Sequence, residues 1–328
     1  MHLPVCGLPS VWKRVGDVSR PFGTNFISVG SPNVETLGYG RTSLREMWTG
    51  RRLHTFFLCC VAGFSMAAGA EEREEAPRPW KLVWHDEFKG RKLDPKKWNV
   101  LTREQSKHNE LQYYVPDEVY VEKGWLRLRS RVRDYGSQHY TSGRVDTSGK
   151  FAPVYGRFEI RARLPAGKGM WPAHWLYPQN RDWKMEQLMT EAVKAGNERI
   201  IPEERPWYSE IDIMEYLGHE TNVLYGTLHY CTFTGERKSS SGKWTGDVDY
   251  SKDFHVYALE WEPNEMRWFI DEKLLHSTTN GIPHKPHYLI LNTAVGGKWP
   301  GNPDETTVFP QFHDIDYVRV YQRPNYFQ

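Results

Sequence analysis

The sequence predicts an all-β protein, an antiparallel β-sandwich or barrel, on three observations. Short segments alternate apolar with charged residues at a period of two, the spacing of a half-buried strand. Glycine and proline separate these segments at turn-like intervals. Aromatic residues make up 14% of the chain, enough to fill an interior between sheets.

The alternation is plain in GWLRLRSRV, where Arg127 and Arg129 interleave Leu126 and Leu128. In GRFEIRARLP, Phe158, Ile160, Ala162 and Leu164 share one face and Glu159, Arg161 and Arg163 the other. MRWFIDEKLLH and DYVRVYQ repeat the pattern, and HYLILNTAV reads as a strand buried on both faces. One segment departs. RDWKMEQLMTEAVKAGN, residues 181 to 197, puts Leu188, Met189, Ala192 and Val193 at helical spacing. Asp182 is its N-cap and Gly196-Asn197 its stop, so one inserted helix is expected, packed on the surface of the sandwich or, in the alternative, forming a rim that narrows a binding cleft.

The 328 residues are not all expected in the mature protein. Residues 47 to 70 carry a basic pair (Arg51, Arg52), an apolar stretch from Leu53 to Ala68 and the small-residue site Ala68-Gly69-Ala70. That order is a secretory signal peptide followed at once by polar sequence, so a secreted or periplasmic protein with no membrane span after cleavage is expected. Residues 1 to 46 are a non-native or disordered extension, 71 to 79 a charged linker, and 80 to 328 the catalytic domain. Cys6, Cys59 and Cys60 precede the cleavage site; Cys231 is left alone, which excludes an internal disulfide. The full chain has 43 Lys and Arg against 41 Asp and Glu, and the first 70 residues hold 7 and 3 of these, so the remainder carries 36 − 38 = −2. A near-neutral surface excludes nucleic acid as the partner.

SEIDIMEYLG, residues 209 to 218, sets Glu210, Asp212 and Glu215 inside six residues. On a helix Glu210 and Glu215 would stand about 140° apart. On a regular strand their odd separation puts them on opposite faces. A β-bulge at Ile213 or Met214 adds one residue to the count and turns all three carboxylates to one side. Two glutamates on one face can cleave a glycosidic bond, one as nucleophile and one as acid and base, if their carboxyls approach to about 5–5.5 Å. Asp212 between them can share a proton or hydrogen bond with either, and crowding raises at least one pKa.

From these residues outward the chain resembles glycoside hydrolase family 16, in its laminarinase-like (endo-β-1,3-glucanase) branch. The resemblance spans residues 80 to 323 through LVWHDEF, NELQYY, TSGRVDTSGKF, YGRFEIRARLPAGKGMWPAHW, EIDIME, YGTLHY, FHVYALEWEP, NTAVGGKWPGNP and DYVRVYQ. It implies a β-jelly roll with a substrate cleft across a concave sheet, and hydrolysis with retention. It implies Glu210 as nucleophile, Glu215 as acid/base and Asp212 as helper. Asn109, Arg144, Trp171, Trp175, Trp207, His229 and Trp299 resemble substrate-binding residues, the tryptophans by stacking on pyranose faces. No cofactor is implied for catalysis. A structural Ca²⁺ is implied at Glu87, Gly124 and Asp316, backbone carbonyls included.

The chain departs from the family's pattern at Ser209, at Lys298 and in an insertion over residues 179 to 206. The expectation is a secreted, monomeric endo-glucanase acting on β-1,3-glucan. Mixed-linkage β-glucan, a marine galactan (agar, porphyran, carrageenan) and a non-catalytic glycan-binding jelly roll are the alternatives.

Overall fold

The computed structural model describes residues 79–104, 107–180, 209–232 and 236–326, with single positions 191 and 196. The extension, the signal peptide, the linker up to residue 78, most of the expected helix and of the insertion, and Trp207 lie outside the described residues.

The strands, in chain order, are β1 (Lys81–Asp86), β2 (Asn99–Val100), β3 (Arg103–Glu104), β4 (Gln112–Tyr114), β5 (Val119–Glu122), β6 (Trp125–Tyr135), β7 (Gln138–Ser142), β8 (Arg144–Asp146) and β9 (Gly156–Arg163). They continue as β10 (Met170–Pro178), β11 (Ser209–Glu215), β12 (Val223–Cys231), β13 (Arg237–Thr245), β14 (His255–Trp261), β15 (Met266–Ile270), β16 (Lys273–Thr278), β17 (His287–Val295) and β18 (Gln311–Gln322). A seven-stranded sheet runs β13-β12-β11-β10-β17-β8-β2, and an eleven-stranded sheet is built on β16-β15-β14-β9-β18-β6-β7-β4-β3. Pairing is antiparallel except between β4 and β7.

The alternation becomes layer geometry. Leu126 and Leu128 of β6, Phe158, Ile160 and Ala162 of β9, and Val318 and Val320 of β18 turn inward from the eleven-stranded sheet. Leu176, Ile211, Leu224, Leu228, Leu289 and Leu291 meet them from the seven-stranded sheet. Burying each such side chain stabilises by about 1.5–3 kcal/mol, which lets the fold stand without a disulfide. Cys231 is buried and in no disulfide. The outward residues of the large sheet form a lattice of ion pairs, with Arg127 and Arg163 both on the buried Asp314 and Arg157 on Glu159, Glu260 and Glu272. In LVWHDEF, the Asp86 carboxylate accepts from the Phe88 amide and the Trp98 indole, pinning the first strand to the loop that follows it. No helix among the described residues is long and apolar enough to cross a membrane.

Candidate active site

The outer face of the seven-stranded sheet carries a cleft of about 440 Å³, and β11 runs beneath it. Against β12, Glu210 pairs with His229, Asp212 with Thr227 and Glu215 with Tyr225. Three steps along β11 from Asp212 to Glu215 therefore match two along β12. The extra residue is a β-bulge over Ile213 and Met214, and the register to β10 slips at the same place, between His174 and Trp175. Parity shifts as the spacing requires. Glu210, Asp212 and Glu215 all line the cleft, while Ile211, Ile213 and Met214 enter the core.

The strand's position makes these carboxylates unlike surface ones. Asp212 is only 5% exposed. Burial first, then the charges of Glu215 and Glu210, hold its carboxyl well above the usual range. Burial also pushes Glu215 up to about 7; the Trp171 indole opposes this by donating to Glu215 Oε1 at 3.0 Å, and Glu210 adds to it. His229 Nε2 lies 3.4 Å from Asp212 Oδ2. Burial lowers the imidazole's pKa, with the charge of Glu210 acting against that. The site thus holds a carboxyl that keeps its proton near neutrality, a second glutamate on the same face, and a buried acid between them. Ligand atoms of Glu210, Asp212 and His229 lie within 4.8 Å of one another.

Aromatic walls flank the carboxylates. Trp299 stands edge-on to both Trp171 (5.5 Å between ring centroids) and Tyr225 (4.9 Å), next to Glu215. Trp175 donates to Asn292 Oδ1 at 2.7 Å, and the Arg144 guanidinium lies over its ring. Arg144 Nε is buried and makes no hydrogen bond within the protein. Of the sequence-predicted residues, Arg144, Trp171, Trp175, His229 and Trp299 line the cleft. Asn109 does not: it is exposed, and its neighbours His108 and Glu110 take the lining positions. Residues 108 and 109 both have left-handed backbone (φ 63°), which turns the chain between them. Tyr225 and Thr227 were not singled out from the sequence. They are cross-strand partners of Glu215 and Asp212, a relation that only the register reveals. Asn292 opens the NTAVGGKWPGNP motif, but its contact with Trp175 is set by the pairing of β10 with β17.

The expected cation residues fall along one edge of β18. That edge pairs with β6 through Ile315 and with β1 from Val318 onward, so Asp316 and Tyr317 fall in the gap between the two. Gly124 immediately precedes β6 and Glu87 immediately follows β1, which brings their backbones to the same gap. The Glu87 side chain is committed to Arg319 through two bonds of 2.9 Å. Arg161 holds only Oδ2 of Asp316. A hard cation here would have to draw on backbone carbonyls and on the other Asp316 oxygen.

A family model for glycosyl hydrolases family 16 matches residues 197–319. A β-glucanase from Rhodothermus marinus is 37% identical over 289 residues, covering 83% of this chain and 94% of the relative. A glucan endo-1,3-beta-glucosidase from Cryptopygus antarcticus is 32% identical over 270 residues, covering 73% of this chain and 91% of the relative. Among solved structures, the laminarinase catalytic domain from Thermotoga maritima superposes with a TM-score of 0.61 at 37% identity, over 74% of this chain and 98% of that one.

Proposed function

The chain belongs to glycosyl hydrolases family 16 and is a glycoside hydrolase with a β-jelly-roll fold, and from that premise we propose that it is a retaining endo-hydrolase of β-1,3-glucan. The observation that carries the mechanism is the bulge at Ile213 and Met214, which sets Glu210 and Glu215 on one face of the cleft. The Glu210 carboxylate attacks the anomeric carbon and forms a glycosyl ester. Glu215, held protonated near neutrality by its burial, gives its proton to the departing sugar oxygen. In the second half Glu215 takes a proton from water, the hydroxide adds to the anomeric carbon, and Glu210 is released with configuration retained. Asp212 supplies a hydrogen bond to the neighbouring glutamate, and His229 closes that side as a neutral imidazole.

The linkage assignment is supported by the relatives named above, described as a β-glucanase, an endo-1,3-beta-glucosidase and a laminarinase. We also assign export to residues 47 to 70, a monomeric working state, and a structural Ca²⁺ to Glu87, Gly124 and Asp316. That ion would tie β1, β6 and β18 together at the gap in the β18 edge; catalysis does not pass through it. The test is a panel of laminarin, lichenan, agarose, porphyran and carrageenan with product analysis. Release of oligosaccharides from laminarin, first as the β-anomer, is the expected result. Preference for a galactan would overturn the linkage, and first release of the α-anomer would overturn retention.

A further inference from the structure

The bulge that aims Glu215 is reached from behind by a residue of the opposite sheet. Trp268, on β15, is 1% exposed in the core, and its indole N–H donates to the backbone carbonyl of Asp212 at 2.9 Å. Asp212 is the last residue of β11 in register before the bulge, and Gly226 is the single residue of β12 opposite the two bulged ones. A Cβ on Gly226 would lie 2.6 Å from Trp268 Cδ1. The indole can therefore reach the carbonyl only because position 226 has no side chain.

The seat is built from two matched pairs. Gly226 and Gly242 are register partners on β12 and β13, and Trp268 and His276 are register partners on β15 and β16. The Trp268 and His276 rings pack 5.1 Å apart. A Cβ on Gly242 would lie 2.6 Å from His276 Cβ, and His276 Nε2 is 3.0 Å from Ser240 Oγ. Two glycines side by side make a trough on the core face of the seven-stranded sheet, and two rings from the other sheet fill it. A bulge disturbs the ladder around it, so a fixed donor to the carbonyl at its start holds the backbone in one arrangement.

We infer that Trp268 is a positioning residue: through the Asp212 carbonyl it fixes the bulge, and through the bulge the aim of Glu215. Glu210 lies two residues ahead on regular ladder paired with His229, so loss of the Trp268 bond misdirects the acid while sparing the nucleophile. This rests on Glu215 being the acid/base, and the test is arranged to separate the two.

The variants are Trp268→Phe and, as reference, Glu215→Ala. Each is assayed on the polysaccharide that wild type cleaves and on a 2,4-dinitrophenyl β-glycoside of the oligosaccharide it releases. Dinitrophenolate departs without protonation, and added azide displaces Glu210 from the glycosyl ester without a base, giving the glycosyl azide. For folded Trp268→Phe, kcat on polysaccharide should fall about 10- to 100-fold, the range for an acid misplaced by about an ångström, with KM little changed. On the aryl glycoside with azide its rate should stay within about threefold of wild type. Where Trp268→Phe does not fold, β-(3-benzothienyl)alanine placed at position 268 removes only the N–H, and the same result is expected. Equal losses on both substrates, or no loss on either, overturn the role of Trp268. Failure of Glu215→Ala to keep the aryl activity overturns the acid/base assignment, and this inference with it.

Discussion

Replacing Glu215 by glutamine should make the protein more stable at alkaline pH while abolishing turnover. Glutamine keeps the shape of the side chain and an acceptor for the Trp171 indole, but it cannot ionise. In the wild type the carboxyl moves from its ordinary 4.5 to about 7 on folding, chiefly through burial and also through Glu210. Between those values the folded protein holds a proton that the unfolded chain has released, so stability falls as pH rises through the window. The stabilising share is complete below 4.5 and gone above about 7. At 1.36 kcal/mol per pH unit the difference reaches at most about 3 kcal/mol, trimmed because the cleft side of the carboxyl still meets solvent. About 2.5 kcal/mol of that upper figure develops between about pH 5 and about pH 8.5. For a domain of this size it corresponds to roughly 5–10 °C in Tm. Urea or thermal unfolding of both proteins at the two pH values measures it directly. Curves that track each other across the range, or a variant less stable than wild type at the alkaline end, would refute the reasoning about Glu215.

Other outcomes follow from the same geometry. Trp171→Phe removes the donor that lowers the Glu215 pKa, so the alkaline limb of kcat/KM should move up by about half to one pH unit, and an unmoved limb contradicts the role of that bond. Glu210→Gln should lower kcat on the order of a thousandfold or more with an unchanged circular dichroism spectrum; turnover close to wild type would remove Glu210 as nucleophile. Chelation should lower Tm by a few degrees, with calcium restoring it, and Asp316→Ala should erase that response; equal Tm values with and without chelator would remove the ion.

Much of the architecture could be read from the chain because period-two alternation has one physical meaning. A strand with Phe158, Ile160 and Ala162 on one side and Arg157, Arg161 and Arg163 on the other must lie at a core boundary. EIDIME was legible for a related reason: the count of residues between Glu210 and Glu215 fits neither helix nor regular strand, so the irregularity itself was predictable. Asn109 shows where such reading ends. Its motif pointed to the right loop, but two successive left-handed residues gave the cleft to His108 and Glu110 instead. Nothing local in NELQYY specifies that turn.

By itself the sequence determined which face of each strand is buried and called for the bulge between Glu210 and Glu215, since each follows from spacing along one strand. Tertiary structure alone decided what stands behind and beside them: the register that puts Tyr225 against Glu215, the Asn292 contact to Trp175, and the reach of Trp268 across the sandwich to Asp212. These contacts join residues far apart in the chain, and their partners are chosen by strand order and sheet packing, which no local pattern encodes.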